Sequence, residues 1–210
     1  MRKIILQHCT VEQQHLLDIS KPINVGYAER LGYEYRTDST RRCPERSIYW
    51  EKIAYLRATL PGIDDGSLVV WEDADSINVK DCDFEDALPT GVLGLVQNRA
   101  GVDCKRLIPW YNAGVMVMRN GPVVRDFFDR VWARPDDTDE AAIVAELKHN
   151  GWAVGGGVPV TSMDPKWNCW KNNVHLCADP VVKSWHGVKL AEKLPEIRGF
   201  MGTWSRPVHA

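Results

Sequence analysis

Leu68 to Asn78 reads LVVWEDADSIN: four apolar residues run directly into three carboxylates, Glu72, Asp73 and Asp75. A short apolar run of this kind is what a strand buried on both faces of a parallel sheet shows. Side chains alternate faces along an extended backbone, so Asp73 and Asp75 are expected on one side and Glu72 on the other. If Leu68 to Trp71 is a central strand, the aspartate pair falls at its C-terminal end, where open α/β sheets bind their ligands. Two carboxylates brought to one point repel unless a cation offsets them, and oxygen donors suit Mg2+ or Mn2+. An acidic, solvated turn is the competing reading, and a DxD triplet alone does not exclude it.

Working outward, strand and helix signals alternate. Lys3 to His8 is apolar and β-branched, which predicts a strand, and Cys9 to Gln14 a loop or helix start. Periodic apolar positions over Asp18 to Arg30 follow, then a second strand near Tyr33 to Arg36 and a polar loop from Arg36 to Arg46. In Tyr49 to Leu60, Ile53, Leu56 and Leu60 form a helical stripe that stops at Pro61-Gly62. Val92 to Val96 and Val115 to Met118 read as further buried strands. Val123 to Trp132 reads as an amphipathic helix, and Asp139 to His149 as another with Asp136 to Thr138 as cap material. This alternation predicts an α/β fold with a mostly parallel central sheet flanked by helices.

At 210 residues, one domain spanning 1–210 is expected. The chain ends at Val208-His209-Ala210 without a recognisable closing element, as the N-terminal part of a longer polypeptide would. A net charge of −2 gives no broad attraction for a polyanion, so nucleic acid is not the expected partner. Cys9, Cys43, Cys82, Cys104, Cys169 and Cys177 form no CxxC pair, which points to a reducing compartment. MRKIILQHC is too short an apolar segment for a signal peptide or membrane span, so a soluble, cytoplasmic protein is expected. The nine tryptophans exceed what a core of this size needs, and platforms for sugars or bases stand beside core packing as their role.

Far downstream, KSWHGVK (Lys183 to Lys189) adds groups that suit the same site. His186 offers an imidazole to the metal, Gly187 lets backbone approach an anion, and Lys189 offers a cation to phosphate. A mixed carboxylate and imidazole set leans towards Mn2+ over Ca2+. By itself, His186 beside Trp185 also fits a structural histidine.

Together these motifs resemble the metal-dependent glycosyltransferases of GT-A (Rossmann-like) fold, in particular the retaining galactosyltransferase-like and glycogenin-like groups. They are also similar to the glycosyltransferase domains that chlorella viruses encode for capsid glycans, which would place the activity in a host cytoplasm. The matching features are a strand ending in DxD (Val69 to Asp75) and the Asn-Ala-Gly strand YNAGVMVMRN (Tyr111 to Asn120). The start of a helix at Asp139 and the His-Gly-x-Lys segment complete the pattern, with WEKIAYLRATL (Trp50 to Leu60) resembling the helix that precedes DxD.

The resemblance implies that Asp73, Asp75 and His186 hold Mn2+, or Mg2+, on the diphosphate of a UDP-sugar, with Gly187 and Lys189 beside the phosphates. It implies that Lys52 or Arg57 faces the donor, that Thr10 lies near base and ribose, and that Asn112 and Ala113 line the donor sugar. It makes Asp139 an acceptor of sugar hydroxyl hydrogen bonds. The function implied is transfer of a hexose or deoxyhexose to a glycan or glycoprotein acceptor with retention, by a monomer. Where the family has Asp-Gln, this chain has Asp139-Glu140; Glu140 either stabilises positive charge at the anomeric carbon or points to solvent at a helix start.

Trp167, Trp170 and Trp204 are candidate acceptor platforms or core residues. A haloacid-dehalogenase-like phosphatase also places DxD at a strand end, but on the first strand, whereas here two strand-helix units precede it. A tryptophan-rich sugar-binding module is the non-enzymatic alternative, with no use for a metal-diphosphate constellation.

Overall fold

The structure is a computed structural model that describes residues 1–98, 110–149, 160–170, 177, 179–185 and 190–203. Strand β1 (Lys3–His8) leads through a 3-10 turn into helix α1 (Gln14–Leu31), and β2 (Glu34–Asp38) and α2 (Glu51–Thr59) follow. Gly32 ends α1 in the left-handed conformation, with φ 72°, and its N–H caps the Ala28 carbonyl. A residue without Cβ adopts that conformation at no steric cost, which turns the chain back into β2.

Then come β3 (Leu68–Asp73), β4 (Ser76–Asn78), β5 (Leu93–Asn98) and β6 (Trp110–Arg119). Helices α3 (Pro122–Trp132) and α4 (Asp139–His149), strands β7 (Val160–Met163) and β8 (Val182–Ser184), and helix α5 (Leu190–Thr203) complete the order.

Six strands form a sheet in the order β2-β1-β3-β6-β5-β7. Its pairs are parallel except for the two made by β6, which runs against β3 and β5. The mostly parallel α/β sheet anticipated from the alternating signals is therefore present, with β3 and β6 at its centre. Strands β4 and β8 form a separate antiparallel ladder in which Ser76 faces Ser184.

Strict alternation along the central strands divides the core between the sheet's two faces. Ile4, Leu6, Val69, Trp71, Met116 and Met118 pack with α2, α3 and α4. Ile5, Leu68, Val70, Val115 and Val117 face the other way, with Tyr27 and Ala28 of α1. A third apolar cluster joins α1 to α5 and the β4 segment through Leu16, Leu17, Ile77, Trp185 and Ile197.

The DxD residues sit where this frame ends. Asp73 is the last residue of β3, but Asp75 lies in the turn between β3 and β4. The extended backbone expected from the sequence therefore stops two residues early, and Asp75 reaches the cleft through a turn rather than by strand alternation.

Candidate active site

The cleft opens at the C-terminal ends of β1 and β3. It is lined by His8 and Thr10 after β1, Lys52 of α2, Asp73 and Asp75, Asn112 to Gly114 of β6, Asp139 and Glu140 of α4, and Lys193 of α5. Residues as far apart in sequence as His8 and Lys193 thus meet at one end of the sheet.

The three acids of the opening stretch have three different fates. Glu72 faces α1 and is fully buried. Its carboxyl oxygens accept from Asn24 Nδ2 at 3.0 Å and Asn78 Nδ2 at 2.9 Å. Burial pushes its pKa up to about 8, with the Asn78 hydrogen bond opposing, so it is largely a neutral acid at pH 7. The same polar layer braces the turn above it. Gln7 Nε2 donates to the carbonyls of Asp73 (3.0 Å) and Ser76 (3.2 Å), and Asn24 Nδ2 donates to Ser76 O at 2.9 Å.

Asp73 lies on the opposite face, as alternation predicts. Its Oδ1 accepts from the Trp71 indole at 2.8 Å and from Lys52 Nζ at 3.0 Å. Lys52 also reaches Asp139 Oδ2 at 2.9 Å and donates to the Ala113 carbonyl at 2.9 Å. Burial works against the ammonium, but Asp139 and Asp73 overcome it and hold Lys52 well above the ordinary lysine pKa. Asp75 is buried and ion-paired to Lys193.

Asn112 to Gly114 enter the cleft through an irregularity in β6. Leu95 pairs with Met116, whereas the next residue, Val96, pairs with Asn112, so the intervening residues bulge out of the ladder with β5. Bulges of this kind re-aim side chains beside functional sites. Asn112 Oδ1 accepts from Gly114 N at 2.8 Å and Asn168 Nδ2 at 2.6 Å, which leaves amide N–H groups as what it can offer a ligand. Asp139 opens α4, where Thr138 Oγ1 accepts from Ala141 N, and the helix dipole favours both Asp139 and Glu140. Glu140 is half-buried on the cleft wall, not turned out to solvent.

Other residues singled out from the sequence are placed differently. Thr10 is buried at the cleft floor. Arg57 lies on the far side of α2, paired with Asp129 at 2.6 Å and packed on Trp132, so only Lys52 of the two candidate cations faces the cleft. Helical spacing explains this, because five residues turn the second side chain some 140° from the first. Trp167 is 2% exposed and packs on Phe84, and Trp170 is 7% exposed; both are interior residues rather than platforms. Trp50, Trp71 and Trp185 are buried too. His186, Gly187, Lys189 and Trp204 lie outside the described residues.

Three cleft residues carry no role in the sequence reading. His8 stacks on Tyr55 with ring centroids 5.2 Å apart, and its Nε2–H donates to the Thr40 carbonyl. Burial lowers its pKa, so the ring is neutral at pH 7. Its place as the last residue of the first predicted strand is the signal that marks it as an edge residue. Tyr49, at the start of the turn into α2, lines the cleft and is 60% exposed. Lys193 has no such signal, because no sequence pattern marks α5 itself.

Among the described residues no three carboxylate, imidazole or thiolate groups cluster as a metal site. Two aspartates nevertheless fit a hard divalent cation, which commonly takes one or two carboxylates and completes its shell with water and substrate phosphates. Among the described residues no helix is long and apolar enough to cross a membrane.

The fold, a mostly parallel sheet flanked by helices, is shared with solved glycosyltransferases of GT-A fold. The chain superposes on a glycosyltransferase involved in the glycosylation of the major capsid of PBCV-1 with a TM-score of 0.71, covering 95% of this chain and 100% of that one at 13% identity. An active-site mutant of LgtC gives a TM-score of 0.56 over 93% of this chain and 95% of that one at 15% identity. The catalytic domain of Drosophila β1,4-galactosyltransferase 7, in complex with xylobiose, gives 0.52 over 100% and 82% at 11% identity. At these identities the likeness is one of fold. No protein-family model and no curated protein matches the sequence.

Proposed function

We propose that this chain is a glycosyltransferase that moves a hexose or deoxyhexose from a UDP-sugar to a glycan or glycoprotein acceptor in a reaction dependent on Mn2+. The observation that carries the reading is the charge of the cleft. Asp73, Asp75, Asp139 and Glu140 line it against Lys52 and Lys193, while Glu51 is taken up by Arg41 and by the Arg42 and Cys43 amides. A nucleoside diphosphate brings further negative charge into such a cleft only together with a cation.

Asp73 and Asp75 would hold the cation. The register of β8, which sets Ser184 opposite Ser76 next to Asp75, supports counting His186 as their companion. When bound, the metal supplies Lewis-acid stabilisation of the charge on the departing diphosphate. Lys52 fixes the Asp73 carboxylate, together with the Trp71 indole, and spans the distance to α4. Asn112 donates to a hydroxyl of the donor sugar, Asp139 accepts from another, and Thr10 borders the nucleoside. Glu140 stabilises positive charge at the anomeric carbon during transfer with retention, and Gly187 and Lys189 complete the phosphate contacts. The exposed ring of Tyr49, not a tryptophan, supplies the apolar wall for the acceptor.

The test is slow, Mn2+-dependent hydrolysis of a UDP-sugar, with the anomer first released read by proton NMR. Release of the retained anomer supports the reading. Hydrolysis of p-nitrophenyl phosphate with no turnover of any nucleotide sugar overturns it in favour of a phosphatase.

A further inference from the structure

Both aspartates proposed to hold the cation already carry an ammonium partner, and the two lysines are held very differently. Lys52 is 10% exposed and anchored by Asp73, Asp139 and the Ala113 carbonyl, so it cannot leave Asp73 without reorganising α4 and β6 as well. Lys193 comes from α5, 118 residues away in sequence from Asp75, and Asp75 is its only ion-pair partner among the described residues.

The helix that carries Lys193 lacks one of its backbone hydrogen bonds near that point. Pro195 lies inside α5, and without an N–H it cannot bond to the carbonyl four residues earlier. Leu194, Ile197, Phe200 and Met201 still pack α5 on the apolar cluster beneath it, so what can move is the lysine side chain, which has one ion-pair partner to leave against the two of Lys52 among the described residues. Of the two lysines, Lys193 is the releasable one.

A divalent cation on the Asp75 carboxylate and an ammonium bonded to the same group repel each other at short range. Displacing Lys193 therefore opposes metal binding, unless the freed ammonium finds another anion. We propose that Lys193 is a placeholder in the donor site. In the donor-free protein it neutralises Asp75; when a divalent cation takes Asp75, its ammonium passes to the diphosphate of the donor. Metal alone then binds weakly, nucleoside diphosphate restores the lost partner, and the two ligands bind cooperatively through one side chain. Reciprocity requires each to raise the affinity of the other by the same factor. The inference rests on the metal-dependent transferase reading.

The experiment measures Mn2+ affinity of the full chain by electron paramagnetic resonance, with and without UDP and corrected for the Mn2+–UDP complex, in wild type, Lys193→Met and Lys193→Arg. Lys193→Met is expected to bind Mn2+ alone about tenfold more tightly than wild type and to lose about tenfold of the gain given by UDP, within the usual range of such couplings. Lys193→Arg, which keeps the charge, should behave as wild type.

Amine labelling of the wild type, read by mass spectrometry, gives a second readout that needs no variant. Lys193 should be protected in the free protein, reactive with Mn2+ alone, and protected again when UDP is added. Wild type showing Mn2+–UDP cooperativity that Lys193→Met retains in full, or Lys193 labelling that Mn2+ leaves unchanged, overturns the placeholder while leaving the transferase reading standing. Wild type that binds no Mn2+ even with UDP overturns the metal-dependent reading itself, and the placeholder with it.

Discussion

Replacing Lys52 with methionine tests whether the cleft is held by a single charged unit. Methionine matches the length of the lysine stem and removes the ammonium that joins Asp73 at the end of β3, Asp139 at the start of α4 and the Ala113 carbonyl of β6. Asp139, whose side chain is 7% exposed, is then left as a buried carboxylate without its cation. Breaking a buried pair from one side costs about 3–5 kcal/mol. Asp73 is 28% exposed and keeps the Trp71 indole, so its loss adds about 0.2–1 kcal/mol, the range of exposed pairs. Lys52→Met should therefore lose about 4 kcal/mol.

Asp139→Asn in the same background removes the stranded charge and should restore about 2 kcal/mol, a coupling within the range for groups in one ion-pair network. Urea unfolding followed by tryptophan fluorescence at pH 7, with slopes compared to confirm a common unfolded state, measures all four corners of the cycle. If the double variant equals the sum of the singles to within about 0.5 kcal/mol, the limit for independent sites, the triad is not a unit and the argument fails.

Asp75→Asn should leave the fold intact, because the turn is held through backbone carbonyls, and should weaken Mn2+-dependent UDP binding at least about tenfold, the smallest loss expected for a direct charged ligand; unchanged affinity by calorimetry would reduce the pair to a surface turn. Tyr49→Ala should raise acceptor KM by roughly three- to tenfold, the worth of one aromatic stacking contact, with a smaller effect on donor KM; equal changes in both would remove Tyr49 from the acceptor wall. Asp38 is held down at about 2, where, against the cost of desolvation, the Thr40 amide, the Arg42 guanidinium and the Thr40 hydroxyl bind its charged form. Its folded pKa lies below the ordinary 3.8, so its contribution is present above about pH 4 and lost as pH falls towards 2. Asp38→Asn should flatten the dependence of the urea midpoint on pH across that window, and an unchanged slope would refute the assignment.

Elements with a strong period or an unbroken apolar run are legible in the sequence itself. β1 runs from Lys3 to His8 and α4 from Asp139 to His149, as the sequence predicts, because β-branched density and cap residues mark their ends. The elements that escape such a reading are those that tertiary pairing creates. β4 (SIN) and β8 (VKS) are three residues each, too short to show any alternation, and exist because they pair with each other. α5 (LAEKLPEIRGFMGT) contains a proline and two glycines, which argue against a helix locally. Its apolar side chains overrule them by docking on α1 and the β4 segment. Because α5 is illegible, so is Lys193. The tryptophans mislead for the opposite reason: composition counts an apolar ring without saying which face of the sheet takes it.

The acidic turn shows why a DxD triplet carries so little information alone. Alternation correctly separates Glu72 from Asp73, yet the reason Glu72 is tolerated in the interior is a pair of asparagines, Asn24 on α1 and Asn78 on β4, that no local pattern links to it. Asn24, with Gln7 of β1, bonds the carbonyls on either side of Asp75 and so fixes where its carboxylate can go. A surface turn with free carbonyls would leave two aspartates to repel each other into solvent. Here the backbone has no such freedom, so the repulsion is answered by cations, Lys52 and Lys193 in the ligand-free protein. The site is therefore a property of the buried polar layer under the turn, and substitutions in that layer should disturb metal binding as surely as substitutions of the aspartates themselves.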